Sequence, residues 1–251
     1  MRHPSSSLKY RMRHAKHAPD ITLIHSWKIP KMWKGGTCII IGGGPSMPRQ
    51  FGVPESIIQK VQEKKLSPKV YSDYMTSIHD QHVIGVNMAY ILGDWIDVLF
   101  FGDRAFYLKE KQGIDKFKGL RVTSNVETGN AEGPIKLVQK HPRVVHGVSF
   151  IPEYVCWNGC SGGAAINLAI HFGVKRIILL GFDMYIEDAK HQHWHKAYPM
   201  VGANDVDNIE YKPHAFPRIA KRLKGKIEVI NASPESAIPS FPKMAFKDIK
   251  L

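Results

Sequence analysis

The run Lys190-His191-Gln192-His193-Trp194-His195 sets three imidazoles at alternate positions. Imidazole titrates near neutral pH and serves as general base, general acid or metal ligand. On an extended chain this spacing puts all three on one face, which also suits a metal. In a chain with 13 histidines, a short His-rich loop without a direct role is the competing reading. His193 and His195 are the candidate bases, and no metal site is assigned. Asp103 and Asp183 follow short apolar runs and offer carboxylates to a ribose hydroxyl, a metal ion or an acceptor hydroxyl. The same placement also suits a helix N-cap or a turn. Asn87 offers its amide to a base or phosphate, or simply makes a turn.

Two glycine-rich turns could handle an anion. In Thr37-Cys38-Ile39-Ile40-Ile41-Gly42-Gly43-Gly44-Pro45-Ser46 a β-branched apolar run enters three glycines and then Pro-Ser. Glycine lets the backbone approach a ligand closely, and Pro45 suits the first turn of a following helix. The free N–H groups at such a helix end favour phosphate. The dinucleotide fingerprint is incomplete, because Met47 stands where a third glycine belongs, and no Gly-Lys-Ser/Thr makes an ATPase phosphate loop. Gly159-Cys160-Ser161-Gly162-Gly163, ahead of a run of small residues, is the second candidate. It satisfies the bare Gly-x-Ser-x-Gly pattern but precedes its strong strand, which argues against a serine hydrolase.

The elements that must hold these groups follow from apolar periodicity. Short buried runs predict strands at 37–41, His82 to Val86, Ile96 to Phe101, Leu120 to Thr123, Val144 to Phe150, Arg176 to Leu180 and Lys226 to Ile230. Pro54 to Lys65 and Gly162 to Phe172 read as helices. Strands alternating with helices imply an α/β fold, Rossmann-like and doubly wound, with a mostly parallel sheet. Ligands of such sheets sit beyond the carboxyl ends of the strands, at the switch point. Ser46, Asn87, Asp103, Asp183 and Asn231 all follow strands, so one shared cleft is expected. The segment 187–212, rich in His, Trp, Gly and Asn, reads as a lid insertion. The predicted organisation is a basic arm over 1–36 and a nucleotide-binding domain over 37–251.

With 251 residues, 43% hydrophobic and 23% charged, the chain can bury a sizeable core. Apolar runs are too short to span a bilayer and no signal-peptide core is present, which predicts a cytoplasmic protein. Three cysteines are too few for a disulfide framework. The formal charge of +13 attracts nucleotides, nucleic acid, acidic glycans or anionic membranes. Much of it lies in Arg2, Lys9, Arg11, Arg13, Lys16, Lys28, Lys31 and Lys34, against Asp20 alone. That arm is a candidate nucleic-acid or partner contact, or a solvated tail tied down by Trp27 and Trp33.

Ile-Ile-Gly-Gly-Gly-Pro-Ser (40–46), Gly-Val-Asn-Met-Ala-Tyr (85–90), the segment from Cys160 to Tyr185 and Val-Ile-Asn-Ala-Ser-Pro-Glu-Ser (229–236) resemble, in order, bacterial sialyltransferases of the Campylobacter lipooligosaccharide type. They equally resemble a broader set with motility accessory factors, phage-encoded homologues and archaeal 6-hydroxymethylpterin diphosphokinases. The resemblance covers about residues 37 to 245. It implies a transferase that binds a nucleotide or nucleotide-sugar and acts on a glycan or protein acceptor. Cytidine monophosphate would be held by Gly42, Gly43, Gly44, Pro45, Ser46 and Asn87, with Ser161 and Gly162 matching the family's Ser-Gly. Gly43 replaces a loop asparagine of the family. A lid histidine would act as base, with His193, His195 and His214 competing, and lid tyrosines would support the leaving phosphate, with Tyr185, Tyr198 and Tyr211 competing. A transferase would need no cofactor beyond its CMP-sugar donor. A diphosphokinase would hold Mg²⁺ for ATP on Asp103 or Asp183, and a non-catalytic nucleic-acid or assembly protein would use the basic arm. A homo-oligomer stays open.

Overall fold

A computed structural model of the protein describes residues 25–185, 193–195 and 212–251. Seven strands form one sheet in the order β5-β4-β3-β2-β1-β8-β9, each pair parallel. They are β1 (Thr37–Ile41), β2 (His82–Val86), β3 (Val98–Phe101), β4 (Leu120–Thr123), β5 (Ile135–Leu137), β8 (Arg176–Leu180) and β9 (Glu228–Asn231); a small two-stranded sheet pairs β6 (Gln139–Lys140) with β7 (Tyr154–Val155). The α-helices are α1 (Glu55–Gln62), α2 (Arg104–Lys116), α3 (Ser161–Phe172) and α4 (Phe216–Leu223).

Strands buried on both faces read as continuous apolar runs rather than alternating ones. Cys38, Ile39, Ile40 and Ile41 are all fully buried, yet their side chains divide by the period of two. Cys38 and Ile40 join Phe100, Leu179, α3 and α4 on one face, while Ile39 and Ile41 join Phe101, Leu180, α1 and α2 on the other. This is the Rossmann-like layering expected. Helix α3 is small and apolar all round because both its sides are covered; eleven of its twelve residues are buried. Trp33 packs edge-on against its Phe172, ring centroids 4.5 Å apart. Trp27 N–H donates to Leu137 C=O and Trp33 N–H to Phe172 C=O, so residues 27–36 pack against the sheet and α3.

From β1 the chain steps outward to β5 on one side, then returns to place β8 and β9 on the other. The connections leaving β1 and β8 therefore diverge and open a crevice where these strands end. Two sequence expectations differ. Val144 to Phe150 is a loop, not a strand: the N–H groups of Gly147 and Ser149 donate to the side chains of Asn158 and Asn167. The segment after the first glycine turn holds only a four-residue 3₁₀ turn, Pro48–Phe51, and not an α-helix.

Candidate functional site

A cavity of about 280 Å³ lies beyond the ends of β1 and β8, lined by Gly42, Gly43, Gly44, Asn87, Asp103, Trp157, Cys160, Ser161, Gly162, Asp183, Tyr185, His193 and His195, among others. Most of the residues singled out in the sequence thus meet around one space. Pro45 and Ser46 do not line it. Neither does Asn231, which is fully buried, its amide donating to Phe182 C=O and accepting from Ser233 N–H.

The first glycine turn is not the open amide cradle expected. Gly42 N–H donates to Leu180 C=O (2.8 Å) and Gly44 N–H to Gly181 C=O (2.9 Å). Ser46 N–H donates to one oxygen of Asp183 (2.9 Å) and its hydroxyl to the other (2.5 Å). The Ser46 hydroxyl also lies 3.0 Å from that of Ser233. These bonds leave no helix N-terminus pointing at a phosphate, and the Asp183 carboxylate already fills the acceptor role at Ser46. The glycines serve a different need. A Cβ on Gly42 would lie 2.6 Å from Gly181 C=O, and one on Gly44 would run into the Asp183 carboxylate. Asp183, 1% exposed, clamps two loops through both of its carboxylate oxygens and also lines the cavity.

The second glycine turn keeps its donors. Cys160 caps α3, its Sγ accepting from Gly163 N–H at 3.3 Å. The N–H groups of Ser161 and Gly162 fall in the first turn, where a helix has no internal acceptor for them. Both residues line the cavity, and the dipole of a twelve-residue helix adds positive potential there. Of the two glycine turns, the one at α3 therefore presents a helix N-terminus to the cavity.

Asn87 ends β2 in the left-handed region (φ 52°), with its side-chain oxygen buried and without a hydrogen-bond partner. Asp103 ends β3 and precedes α2 without capping it, so its exposed carboxylate stands at the cavity wall. Trp157 was not foreseen. Its ring lies so close to Gly102 that any Cβ there would collide with it, and the Lys140 ammonium sits 4.1 Å from the ring centroid. Burial against the indole pulls the Lys140 pKa down, while the nearby Asp103 carboxylate opposes that.

The imidazoles of His193 and His195 stack with centroids 5.0 Å apart and planes 14° from parallel. His193 Nδ1 lies 3.2 Å from Gly43 C=O. A carbonyl only accepts, so in this bond Nδ1 is the donor. His195 is 7% exposed. Burial pushes its pKa well below the ordinary imidazole value, helped by His193 and Lys109, and so holds it neutral. Trp194, also unforeseen, fixes this pair. Its indole N–H donates to Gly42 C=O (2.7 Å), its backbone N–H donates to Gly43 C=O (3.2 Å), and Gln62 donates to the carbonyls of His193 and Trp194. The sequence signal was available in an indole between two imidazoles, the one apolar side chain of that alternation. His214 is exposed and does not line the cavity; His191, Tyr198 and Tyr211 lie outside the described residues. Among the described residues no cluster of three or more metal-ligating side chains occurs, and no helix is long and apolar enough to cross a membrane.

No protein-family model and no curated protein matches the chain. Among solved structures it is similar to the MAf glycosyltransferase from Magnetospirillum magneticum AMB-1, with a TM-score of 0.54 and 14% identity over 91% of this chain and 36% of that one. It is also similar to the sialyltransferase CstII from Campylobacter jejuni, solved with the substrate analogue cytidine-5'-monophosphate: TM-score 0.46 and 16% identity over 84% of this chain and 86% of that one. The chain spans about a third of the length of the first. At these identities the fold is what is shared.

Proposed function

We propose that the chain is a nucleotide-sugar-dependent glycosyltransferase of the sialyltransferase kind, taking a sugar from a CMP-type donor to a glycan or protein acceptor. One observation carries this reading. The imidazoles of His193 and His195 and the first-turn amides of α3 line the same cavity, which supports a base and a leaving-group site in one space. The MAf glycosyltransferase, whose fold the chain shares, is a glycosyltransferase by name.

In this mechanism the donor phosphate sits on the Ser161 and Gly162 amides, with Asn87, Asp103 and Trp157 around the nucleoside. His193 Nε2 takes the proton of the acceptor hydroxyl, and the oxygen attacks the anomeric carbon as its bond to phosphate breaks. The departing nucleoside monophosphate keeps the electron pair, and the amides stabilise that charge. The neutral His195 at the back of His193 adds no competing positive charge. The Asp183 carboxylate fixes the first loop rather than acting on substrate, and no metal is required.

Thermal-shift titration with CMP, CDP, UDP, GDP and ATP, each with and without Mg²⁺, tests the proposal. Stabilisation by CMP without metal supports it, and stabilisation by ATP only with Mg²⁺ overturns it. His193→Ala should abolish turnover while His195→Ala reduces it, and the opposite ranking would move the base to His195.

A further inference from the structure

The apolar run Val144 to Phe150, expected as a buried strand, is only partly inside. Val148 and Ser149 are buried, whereas Val144, Val145, Phe150 and Ile151 are 40%, 53%, 49% and 48% exposed. This exposure belongs to a fixed backbone. Gly147 exchanges hydrogen bonds with the Asn158 side chain in both directions, at 2.7 and 3.1 Å, and Ser149 does the same with Asn167 at 2.8 and 2.9 Å. Asn158 N–H also donates to Val145 C=O. The loop is anchored at its middle and holds two apolar pairs outward on either side of the anchor.

Cations flank the Phe150 end of this loop. The Arg222 guanidinium and Lys226 ammonium lie 5.4 and 5.2 Å from the Phe150 ring centroid. Arg218, one turn before Arg222 on α4, and Arg143 in the loop itself are exposed as well. The nearby Glu228 is paired with Arg176 at 2.8 Å. Exposed apolar groups set among cations match a surface that is anionic outside and apolar just beneath.

We infer that the loop 143–152 and the cationic face of α4 dock the protein peripherally on an anionic lipid bilayer. Val144, Val145, Phe150 and Ile151 enter the headgroup boundary while Arg143, Arg218, Arg222 and Lys226 meet lipid phosphates. A nucleic-acid surface fits less well. Single-stranded binding uses aromatic faces for base stacking, whereas three of these four side chains are aliphatic and two cations already cover the Phe150 ring. The inference stands apart from the transferase reading.

Co-sedimentation of the full chain with vesicles tests it, comparing phosphatidylcholine alone with phosphatidylcholine mixed with phosphatidylglycerol. The basic N-terminal arm carries cations of its own, so the comparison is between the wild type and two full-length variants, Phe150→Ser/Ile151→Ser and Arg222→Glu/Lys226→Glu. Melting temperatures within a few degrees of wild type, expected for surface positions, establish that both fold. Binding should need phosphatidylglycerol and weaken with salt. The apolar variant should lose about tenfold or more in partitioning, and the charge variant at least about fivefold for each cation removed. Three results overturn the inference: variants that bind as the wild type does; loss in the charge variant alone together with displacement by single-stranded RNA; or a dimer in solution that the same substitutions dissolve while vesicles are not bound.

Discussion

Replacing Trp194 by Phe separates the fastening of the histidine pair from the packing beneath it. The indole is 1% exposed and packs edge-on to Tyr71, centroids 6.2 Å apart. Phenylalanine keeps most of that apolar volume but removes the N–H that donates to Gly42 C=O at 2.7 Å. A buried carbonyl that loses its donor costs about 1 to 3 kcal/mol, and the smaller ring adds about 1 kcal/mol of lost packing. The expected loss is therefore about 2 to 4 kcal/mol, which lowers the melting temperature by roughly 5 to 15 °C in a chain of this size. Urea denaturation followed by circular dichroism measures it. A double-mutant cycle with Gln62→Leu, which removes the bonds to the His193 and Trp194 carbonyls, should show coupling of about 0.5 to 3 kcal/mol, because both side chains hold one strip of backbone. Turnover should fall by more than donor affinity, since the base moves while the α3 amides stay. Unchanged stability would refute the hydrogen-bond argument, and lost stability with unchanged turnover would refute the positioning role.

Asp183→Asn should cost about 2 to 3 kcal/mol in denaturation, because the Ser46 N–H and hydroxyl lose a charged acceptor, and should leave CMP binding intact; loss of Mg²⁺-dependent ATP binding would instead make Asp183 a metal ligand. Gly44→Ala should cost more than Gly43→Ala in melting temperature, because the new Cβ at Gly44 meets Gly181 C=O at 2.8 Å whereas the one at Gly43 meets only His193 Nδ1, at 3.0 Å. Burial holds the His195 pKa low in the fold, so the unfolded chain binds a proton near pH 6.5 that the native state refuses. Stability is therefore full above about pH 6.5 and is lost as pH falls toward the folded value. His195→Gln should flatten that acid limb in denaturation midpoints measured against pH; the buried His171, whose pKa is lowered too, should keep part of it.

Strands β1, β2, β4 and β8 were legible to the residue; β1 and β8, covered on both faces, leave nearly continuous apolar runs that stop at glycine, and β2 and β4 are short apolar-rich segments that end at polar residues. Helix α2 was not: in RAFYLKEKQGIDK only Phe106 and Ile114 are buried, too thin a stripe to stand out. The Val144 to Phe150 run misled because apolar composition does not distinguish a core from an outward wedge, and the deciding partners, Asn158 and Asn167, are distant in sequence. At the site, clustering at strand ends follows from topology and could be read. What each end does could not. Asp183 and Asp103 look alike in sequence, yet one is consumed by Ser46 and the other stands at the wall. Gly42 to Gly44 spell a phosphate loop, but the small size of Gly42 and Gly44 answers to the carbonyl of Gly181 and the carboxylate of Asp183.

That mutual approach has a practical outcome for anyone redesigning the pocket. Gly181, itself left-handed at φ 65°, sits against Gly44, and a Cβ on it would meet Gly44 N at 3.1 Å and the Gly42 and Gly44 carbonyls at 3.2 Å. Main chain locks against main chain, so these glycines offer no side chain to trim and no room to add one. Altered selectivity has to be sought higher up, at Trp157, Asn87 or the paired imidazoles, and libraries randomising residues 42–44 should return mostly unfolded protein.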